Sequence, residues 1–557
     1  MFNVFLSSIV STIILLGYGN LFNKIFFKKD VNKSNISYVG LLGFIFIGFI
    51  AVFINFFFPI NLFVGNTSLI FSFILFIIYY LNFKKKIKLF SSIIFISITT
   101  SLLIILSNVN RPDAGLYHLP YISFLQESKI ALGITNIHYR FGYISIFQYI
   151  SSMYNNSFFM KEAITIPLAS LFSFFIGYLI SEIKKNLNDN KEFNKIIFFF
   201  IFIFSLYTFN RYSNYGNDAP ASIYFFILII SLLKITNFNA INSKTYFEIL
   251  ILIIFLTSLK TTMAITFILP LILFFVNKNK IEIIRNKNIL ICSVLFFLWL
   301  VKNLFVSGCF IFPLKITCIE KLDYYDKQTT LIASQEAEAW SKGYPDDKRN
   351  INYKDYISNF EWTKTWLDNH FKKILEKILP LIILILLFFW KNIFKINFLK
   401  RDKKIFYIII FLIYCCTIWF LKFPVYRFGL AFISSFMIIS LVFLFQDDSK
   451  KYNKRFYQTF IFIGLILFYS KNLDRIFKKH GNYYENYPWP KIYSFKNNDK
   501  NIKKSFLKIH DKRGNFLYHF SGNEDCMFSA SPCSPFIIEN LKLEKFSSYK
   551  KYMLEKN

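Results

Sequence analysis

The chain has 557 residues, of which 55% are hydrophobic, and its formal net charge is +32. Apolar runs of about 20 residues recur along its length, more than any soluble fold needs and typical of a polytopic membrane protein. The positive charge does not indicate nucleic acid, because much of the lysine lies in short loops between apolar runs, where it would fix topology. We therefore expect no nucleic-acid partner.

Fourteen apolar runs are candidate spans, and the predicted fold class is an all-α polytopic membrane protein with about 14 transmembrane helices. They fall near residues 3–23, 39–58, 65–83, 89–107, 162–181, 196–209, 219–233, 246–259, 262–276, 289–306, 374–390, 405–421, 428–445 and 456–470. The stretch 246–276 would make one helix of about 46 Å, which exceeds the ~30 Å hydrocarbon core. We interpret it as a hairpin with Lys260 at its turn.

Loop charge sets the predicted topology. The basic loops all follow odd-numbered spans and lie at 24–33, 84–88, 184–195, 278–287, 391–404 and 450–455. Basic loops favour the cytoplasm, so both termini are predicted outside. Four polar segments then lie outside, at 108–161, 210–218, 307–373 and 471–557.

The seven cysteines agree with this topology. Four fall in segments predicted outside, as the close pairs Cys309/Cys318 and Cys526/Cys533. An oxidising compartment favours disulfides in both pairs. The alternative, a metal site, is weaker because neither pair has CxxC spacing or a histidine at ligand spacing.

The first outside segment carries the main candidate site. Arg111, Asp113 and His118 follow directly on the apolar run 89–107. A carboxylate is costly in hydrocarbon, so Asp113 belongs at the water boundary or in a polar cavity. Asp113 and His118 are the candidate catalytic residues; the alternative is an interfacial loop whose charges avoid lipid. Two short juxtamembrane helices are predicted to follow, near 119–133 and 141–154, lying at the membrane surface.

Other polar residues are predicted at a similar depth on the same face. The candidate substrate-binding set is Arg111, Tyr117, His138, Arg140, Asp218, Lys260, Lys302, Asn303 and Arg427. Two carboxylates with several cations suit an anionic phosphate leaving group and an acceptor hydroxyl that must lose a proton. Taken singly, each could instead be an interfacial anchor.

Together these motifs resemble the GT-C superfamily of membrane glycosyltransferases, over roughly residues 89 to 445. The similar stretches are 112–117, 259–262 with 269–271, 299–303 with 307–308 and 312–313, and 426–429. Two features depart from the family pattern: three spans precede the one before Asp113, and a single Asp stands where paired acids are common. The chain also resembles bacterial membrane proteins that carry an Asp-x-x-x-Tyr-His-Leu-Pro loop.

The resemblance implies a domain organisation. Residues 1–88 would be extra N-terminal helices and 89–445 a GT-C-like core with outer loops 108–161 and 307–373. Residues 446–470 would form the last transmembrane helix and 471–557 a small extracytoplasmic segment.

The resemblance also implies a function: transfer of sugar from a polyprenyl-phosphate donor to a glycan or lipid acceptor, outside a bacterial plasma membrane. Asp113 would be the general base, Arg427, Lys260 and Arg140 would bind phosphate, and His118 and Asp218 would position substrate. No cofactor is certain, and a divalent metal is possible. A polymerase or ligase of lipid-linked oligosaccharide and a transporter remain alternatives.

Overall fold

The computed structural model of the protein describes residues 2–104, 113–158, 161–188, 192–209, 216–344, 352–392, 403–446, 452–478, 506–522 and 525–555. Arg111, the stretch 210–215 and most of the basic loop 391–404 lie outside the described residues. The helices are α1 Phe2–Phe22, α2 Ile36–Phe57, α3 Leu62–Tyr80, α4 Lys86–Ile104, α5 Leu119–Glu127, α6 Ile146–Met153, α7 Ile166–Asn188, α8 Glu192–Thr208, α9 Asp218–Lys234, α10 Ser243–Leu259, α11 Ile268–Val276, α12 Lys280–Ile284, α13 Lys287–Ser307, α14 Lys327–Ser341, α15 Tyr353–Ser358, α16 Trp362–Trp366, α17 Lys372–Phe388, α18 Lys403–Lys422, α19 Tyr426–Phe445 and α20 Lys454–Lys478.

Eight helical segments of the described chain are long and apolar enough to cross a membrane. They are Val4–Phe27, Ile36–Phe57, Leu62–Tyr80, Lys86–Ile104, Ala163–Leu187, Lys287–Ser307, Lys403–Lys422 and Tyr426–Phe445. The described part of the protein is therefore mostly helical, and its long apolar helices are typical of a membrane protein, as the composition indicates. The other predicted spans also fall on helix but are shorter or more polar, so the count of 14 stays a prediction.

Three of those shorter helices form the centre of the bundle. α8, α9 and α10 have 17 residues each, about 26 Å at 1.5 Å per residue. α9 packs against α7, α8, α10 and α19, and every residue from Pro220 to Leu233 is buried. A helix that is apolar all round belongs in such a position.

Small residues let α1 and α2 approach closely. A Cβ on Gly43 would lie 2.2 Å from the Leu15 carbonyl oxygen, and one on Gly19 would lie 1.9 Å from that of Val39. Membrane helices gain their packing energy through such close contacts, because lipid offers no hydrophobic drive for association. These two helices thus form a tight unit beside the core.

The C-terminal segment corrects the all-α prediction. Strands β1 Leu507–His510, β2 Phe516–Phe520 and β3 Cys533–Ser534 form one sheet, and β4 Leu541–Phe546 pairs with β5 Tyr549–Leu554 in an antiparallel hairpin. We call residues 506–555 the C-terminal unit. Its strands have only two to six residues, too few to show a clear alternation beside the long apolar runs.

Three segments predicted outside meet at one end of the bundle, which we call the cavity face. The Asn136 side chain donates hydrogen bonds to the Tyr324 carbonyl (2.9 Å) and to the Tyr552 carbonyl (3.0 Å), and so joins all three. These three segments therefore lie at the same end of the bundle, as their predicted placement on one side of the membrane requires. The membrane side on which this face lies stays a prediction.

The two juxtamembrane helices form as α5 and α6, but they do not lie exposed at a membrane surface. Nearly all their residues are buried, because α6 packs on α2 and α5 lies under the C-terminal unit. α6 begins later than predicted, at Ile146, where Ser145 and Gln148 form a capping box. The stretch Tyr139–Tyr143 is a 3₁₀ turn instead.

Both predicted cysteine pairs are joined as disulfides, Cys309–Cys318 and Cys526–Cys533. Both lie on the cavity face. The three remaining cysteines, Cys292, Cys415 and Cys416, are free thiols within helices.

Candidate active site

A cavity of about 780 Å³ opens at the cavity face. Six of the residues that the sequence singled out line it: Asp113, Tyr117, His118, Asp218, Lys260 and Arg427. Its remaining lining includes the apolar residues Ile265, Phe312, Phe423 and Phe428. The cavity therefore combines a charged end with an apolar wall.

Charged side chains from distant parts of the chain form a continuous network there. Arg427 lies between two carboxylates, with Nη1 3.4 Å from Asp113 Oδ2 and Nε 3.6 Å from Asp218 Oδ2. Lys260 Nζ pairs with Asp218, and Arg140 Nη1 lies 3.8 Å from Asp113 Oδ1. Each carboxylate is thus flanked by two cations. Arg427 and Asp113 remain about half exposed, at 50% and 41%, so both are accessible from the cavity.

Helix ends position these charges. Asp218 is the first residue of α9, where the helix dipole favours an anion, and Lys260 directly follows the C-terminus of α10, where it favours a cation. Arg427 stands in the first turn of α19, an unfavourable place for a cation. Its two carboxylate partners offset that cost, which ties α19 to the network.

His118 is held as a neutral, oriented imidazole. The Gln148 amide nitrogen donates to His118 Nδ1 (2.9 Å) and to Asn217 Oδ1 (3.0 Å), while its oxygen accepts the Ser145 backbone N–H. Nδ1 is therefore the acceptor, and the imidazole proton is on Nε2. Burial lowers the pKa of His118 to about 4, although Asp113 and Asp218 oppose this. His118 is thus uncharged at neutral pH.

Lys260 and Tyr117 have unusual surroundings as well. Burial lowers the pKa of Lys260 to about 8 against the opposing effect of Asp218, and Nζ lies 3.2 Å from the centre of the Phe428 ring. Burial, followed by the charge of Asp113, raises the pKa of Tyr117. Tyr117 therefore keeps its phenolic proton and can donate a hydrogen bond.

Arg140 lies at the edge of the network and does not line the cavity. Its Nη2 is 3.3 Å from Glu336 Oε1, and the same oxygen accepts a hydrogen bond from Tyr139 (2.5 Å). Arg140 thus connects Asp113 to α14. His138 is buried behind it, with Nδ1 accepting the Arg140 backbone N–H at 3.2 Å.

Lys302 and Asn303 are not brought to the cavity. Lys302 Nζ donates to the Ile144 carbonyl and to Asn303 Oδ1, both at 3.2 Å, and lies 4.2 Å from the Trp299 ring centre. The Asn303 amide donates to the Phe310 carbonyl (3.0 Å). Both side chains hold neighbouring loops in place, so their predicted role in substrate binding has no support from this geometry.

Sequence reasoning missed the α14 contribution to the site. Glu338 lines the cavity and pairs with Lys342 (2.7 Å) and with Lys422 (3.5 Å), which also lines it. No local motif marks these residues. The only signal in the sequence was two glutamates, Glu336 and Glu338, within a polar helix. Such glutamates are common on solvated helices, so they do not mark a site.

The C-terminal unit also reaches the site. The Met527 backbone N–H donates to the Gly115 carbonyl (2.8 Å), and a Cβ on Gly115 would lie 2.9 Å from Asp525 Oδ2. Burial and the nearby Asp113 charge raise the pKa of Asp525. Gly115 is thus required by close packing just after Asp113.

The described residues offer no evident site for the possible divalent metal. Among the described residues, no group of three His, Cys, Asp or Glu side chains is placed to hold an ion. Asp113 and Asp218 are instead paired with Arg427. Cations of the protein occupy the positions next to both carboxylates.

A family model with the description "Domain of unknown function (DUF8201)" matches residues 1–434 of the chain. The match includes all six predicted residues that line the cavity and ends before the C-terminal unit. No curated protein and no solved structure matches the chain significantly.

Proposed function

Since the chain belongs to the DUF8201 family, whose description states no reaction, we propose a function from the cavity: a membrane glycosyltransferase that uses a polyprenyl-phosphate sugar donor. The acceptor would be an extracytoplasmic glycan or lipid, at a bacterial plasma membrane. The observation that supports this most is Arg427, which bridges Asp113 and Asp218 inside a cavity that Lys260 also lines.

The charged end of the cavity suits the departure of a phosphate. In the proposed reaction, the acceptor oxygen bonds to the anomeric carbon as the bond between that carbon and the phosphate oxygen breaks. The carrier phosphate leaves as an anion, and the Arg427 guanidinium and the Lys260 ammonium stabilise it. Guanidinium suits this role because its donors form a planar fork that matches phosphate.

Asp113 would act as the general base. Its carboxylate is 41% exposed and lines the cavity, so an acceptor hydroxyl can reach it and give up its proton. The Nε2–H of the neutral His118 and the hydroxyl of Tyr117 also belong to this end of the cavity and can donate hydrogen bonds to the sugar. Asp218, paired with Lys260 and Arg427, holds both cations in place.

The apolar wall suits the lipid part of the donor. Ile265, Phe423 and Phe428 lie on the 3₁₀ turn after α10, at the end of α18 and in the first turn of α19, beside the charged end. A polyprenyl chain attached to the phosphate would lie along this wall. A water-soluble nucleotide sugar would gain nothing from it.

The test is transfer from a synthetic polyprenyl-phosphate sugar by purified protein, with Asp113→Asn compared with wild type. Loss of a general base reduces the rate by about 10²–10⁴-fold. Glu320→Gln is the matched control, because Glu320 is exposed and pairs with Lys327 on the surface, away from the cavity lining. Wild-type transfer by a folded Asp113→Asn protein would contradict the assignment.

A polymerase or ligase of lipid-linked oligosaccharide is the second candidate. The volume of about 780 Å³ and the α14 wall, with Ser334, Ala337 and Glu338, leave space for an acceptor longer than one sugar. Accumulation of single lipid-linked repeats in a deletion strain would favour this candidate. Accumulation of a glycan that lacks one sugar would favour the transferase.

A further inference from the structure

A second groove, of about 480 Å³, runs along the flank of the bundle between α1, α2 and α13. It shares no lining residue with the candidate active site. Buried rings such as Phe22 and Phe49 form its floor, and half-exposed side chains such as Phe53 and Phe297 form its rims. Among the described residues that line it, only Tyr549 carries a polar group.

The position of this groove fits one lipid chain. α2 and α13 are both candidate spans, so the exposed rims face hydrocarbon. From Ile45 to Phe57 the groove follows α2 for about 18 Å at 1.5 Å per residue, which is close to one leaflet of a ~30 Å core. Its volume is within the range of about 300–1,000 Å³ for ligand sites.

A cation and the C-terminal unit mark the end of the groove at the cavity face. Tyr549 closes this end, with its hydroxyl donating to the Phe56 carbonyl (2.9 Å). Lys129 Nζ lies 4.4 Å from the Tyr549 ring centre and donates to Ser548 Oγ (2.5 Å). Within the described part of the chain, no carboxylate pairs with Lys129.

The hairpin beside Lys129 adds positive charge. Lys545 and Lys550 stand directly opposite each other on β4 and β5, and they form no ion pair with any described residue. Like charges in such positions destabilise a hairpin unless an anion is near. Because side chains alternate along a strand, this pair lies on the face opposite to Tyr549 and raises the local potential without lining the groove.

We propose that the groove binds one acyl chain of an anionic phospholipid, with the headgroup phosphate at Lys129. An apolar slot that ends at an ammonium with no carboxylate partner among the described residues complements a lipid with a negative headgroup. Such a lipid would contact α2, α13 and Tyr549 together. It would therefore stabilise the attachment of the C-terminal unit to the bundle, independently of any transferase activity.

The test is thermal unfolding of detergent-purified full-length protein with phosphatidylglycerol or phosphatidylcholine of equal chain length. We expect phosphatidylglycerol to raise the unfolding temperature more, because its phosphate charge is not offset by a choline ammonium and is therefore attracted more strongly to Lys129. Lys129→Gln should weaken phosphatidylglycerol binding roughly tenfold and remove the difference between the two lipids.

Two further variants keep the test specific. Lys545→Gln is the matched charge control and should keep most of the preference, because Lys545 lies on the other face of the hairpin and contributes only to the local potential. Val301→Trp fills the groove from α13 and should abolish stabilisation by both lipids. Equal stabilisation of wild type by the two lipids, or an unchanged preference in Lys129→Gln, would overturn the proposal. Full lipid response in Val301→Trp would also overturn it.

Discussion

Replacing Arg427 with lysine tests the phosphate site most sharply. Arg427 contacts two separate carboxylates with two different nitrogens, Nη1 to Asp113 and Nε to Asp218. One ammonium cannot reproduce both contacts in that geometry. The Arg427 side chain is 50% exposed, so loss of one of its two ion pairs should lower the free energy of unfolding by at most about 1 kcal/mol. The fold should therefore stay intact.

The effect on the donor should be larger. A bidentate, charge-assisted contact to phosphate is stronger than a single ammonium contact, and a hydrogen bond to a charged group contributes about 1.5–3 kcal/mol. Loss of one such bond lowers kcat/KM for the donor roughly 10- to 100-fold.

The assay is the initial rate of transfer at limiting donor, with a melting curve for each variant. Arg455→Lys is the matched control, because Arg455 is exposed in the first turn of α20, which overlaps the basic loop 450–455 predicted on the opposite side. Wild-type rates in Arg427→Lys would show that Arg427 only anchors the helix end. The phosphate site would then have to be assigned to Lys260, since Arg140 does not line the cavity.

Three other predictions concern His118, the disulfides and the membrane topology. The pKa of His118 is lowered to about 4 in the folded protein, so the unfolded chain binds a proton first as the pH falls. Stability should therefore decline between about pH 6.5 and 4. Melting curves recorded against pH should show a smaller decline for His118→Gln. Thiol labelling of unreduced, denatured protein should reach only the three free cysteines, and labelling of all seven would show that the bridges are absent. A topology reporter at Asn557 should be active outside and one within 391–404 only inside, and the opposite pattern would move the cavity to the cytoplasmic side.

The sequence grouped four charged residues that the fold brings together in one cavity. Asp113, Asp218, Lys260 and Arg427 were grouped because each follows or precedes an apolar run on one predicted face. That argument needs only span boundaries and loop charge, both of which are local.

Other features depend on tertiary contacts that the sequence does not display. Lys302 looked like an outward-facing cation at the end of a span, yet it folds back over Trp299 to reach the Ile144 carbonyl. The contribution of Glu336 and Glu338 depends on α14 folding over the cavity. The strands of the C-terminal unit are too short to have a clear period beside so many long apolar runs.

The central claim is that the cavity holds a polyprenyl phosphate, and photo-crosslinking tests it most directly. A polyprenyl phosphate with a photoreactive group near the phosphate should label peptides that carry Ile265, Phe423 or Phe428. Arg427→Lys should reduce this labelling, and excess unlabelled polyprenyl phosphate should compete for it. Labelling confined to the flank groove between α2 and α13, or labelling that Arg427→Lys leaves unchanged, would contradict the account.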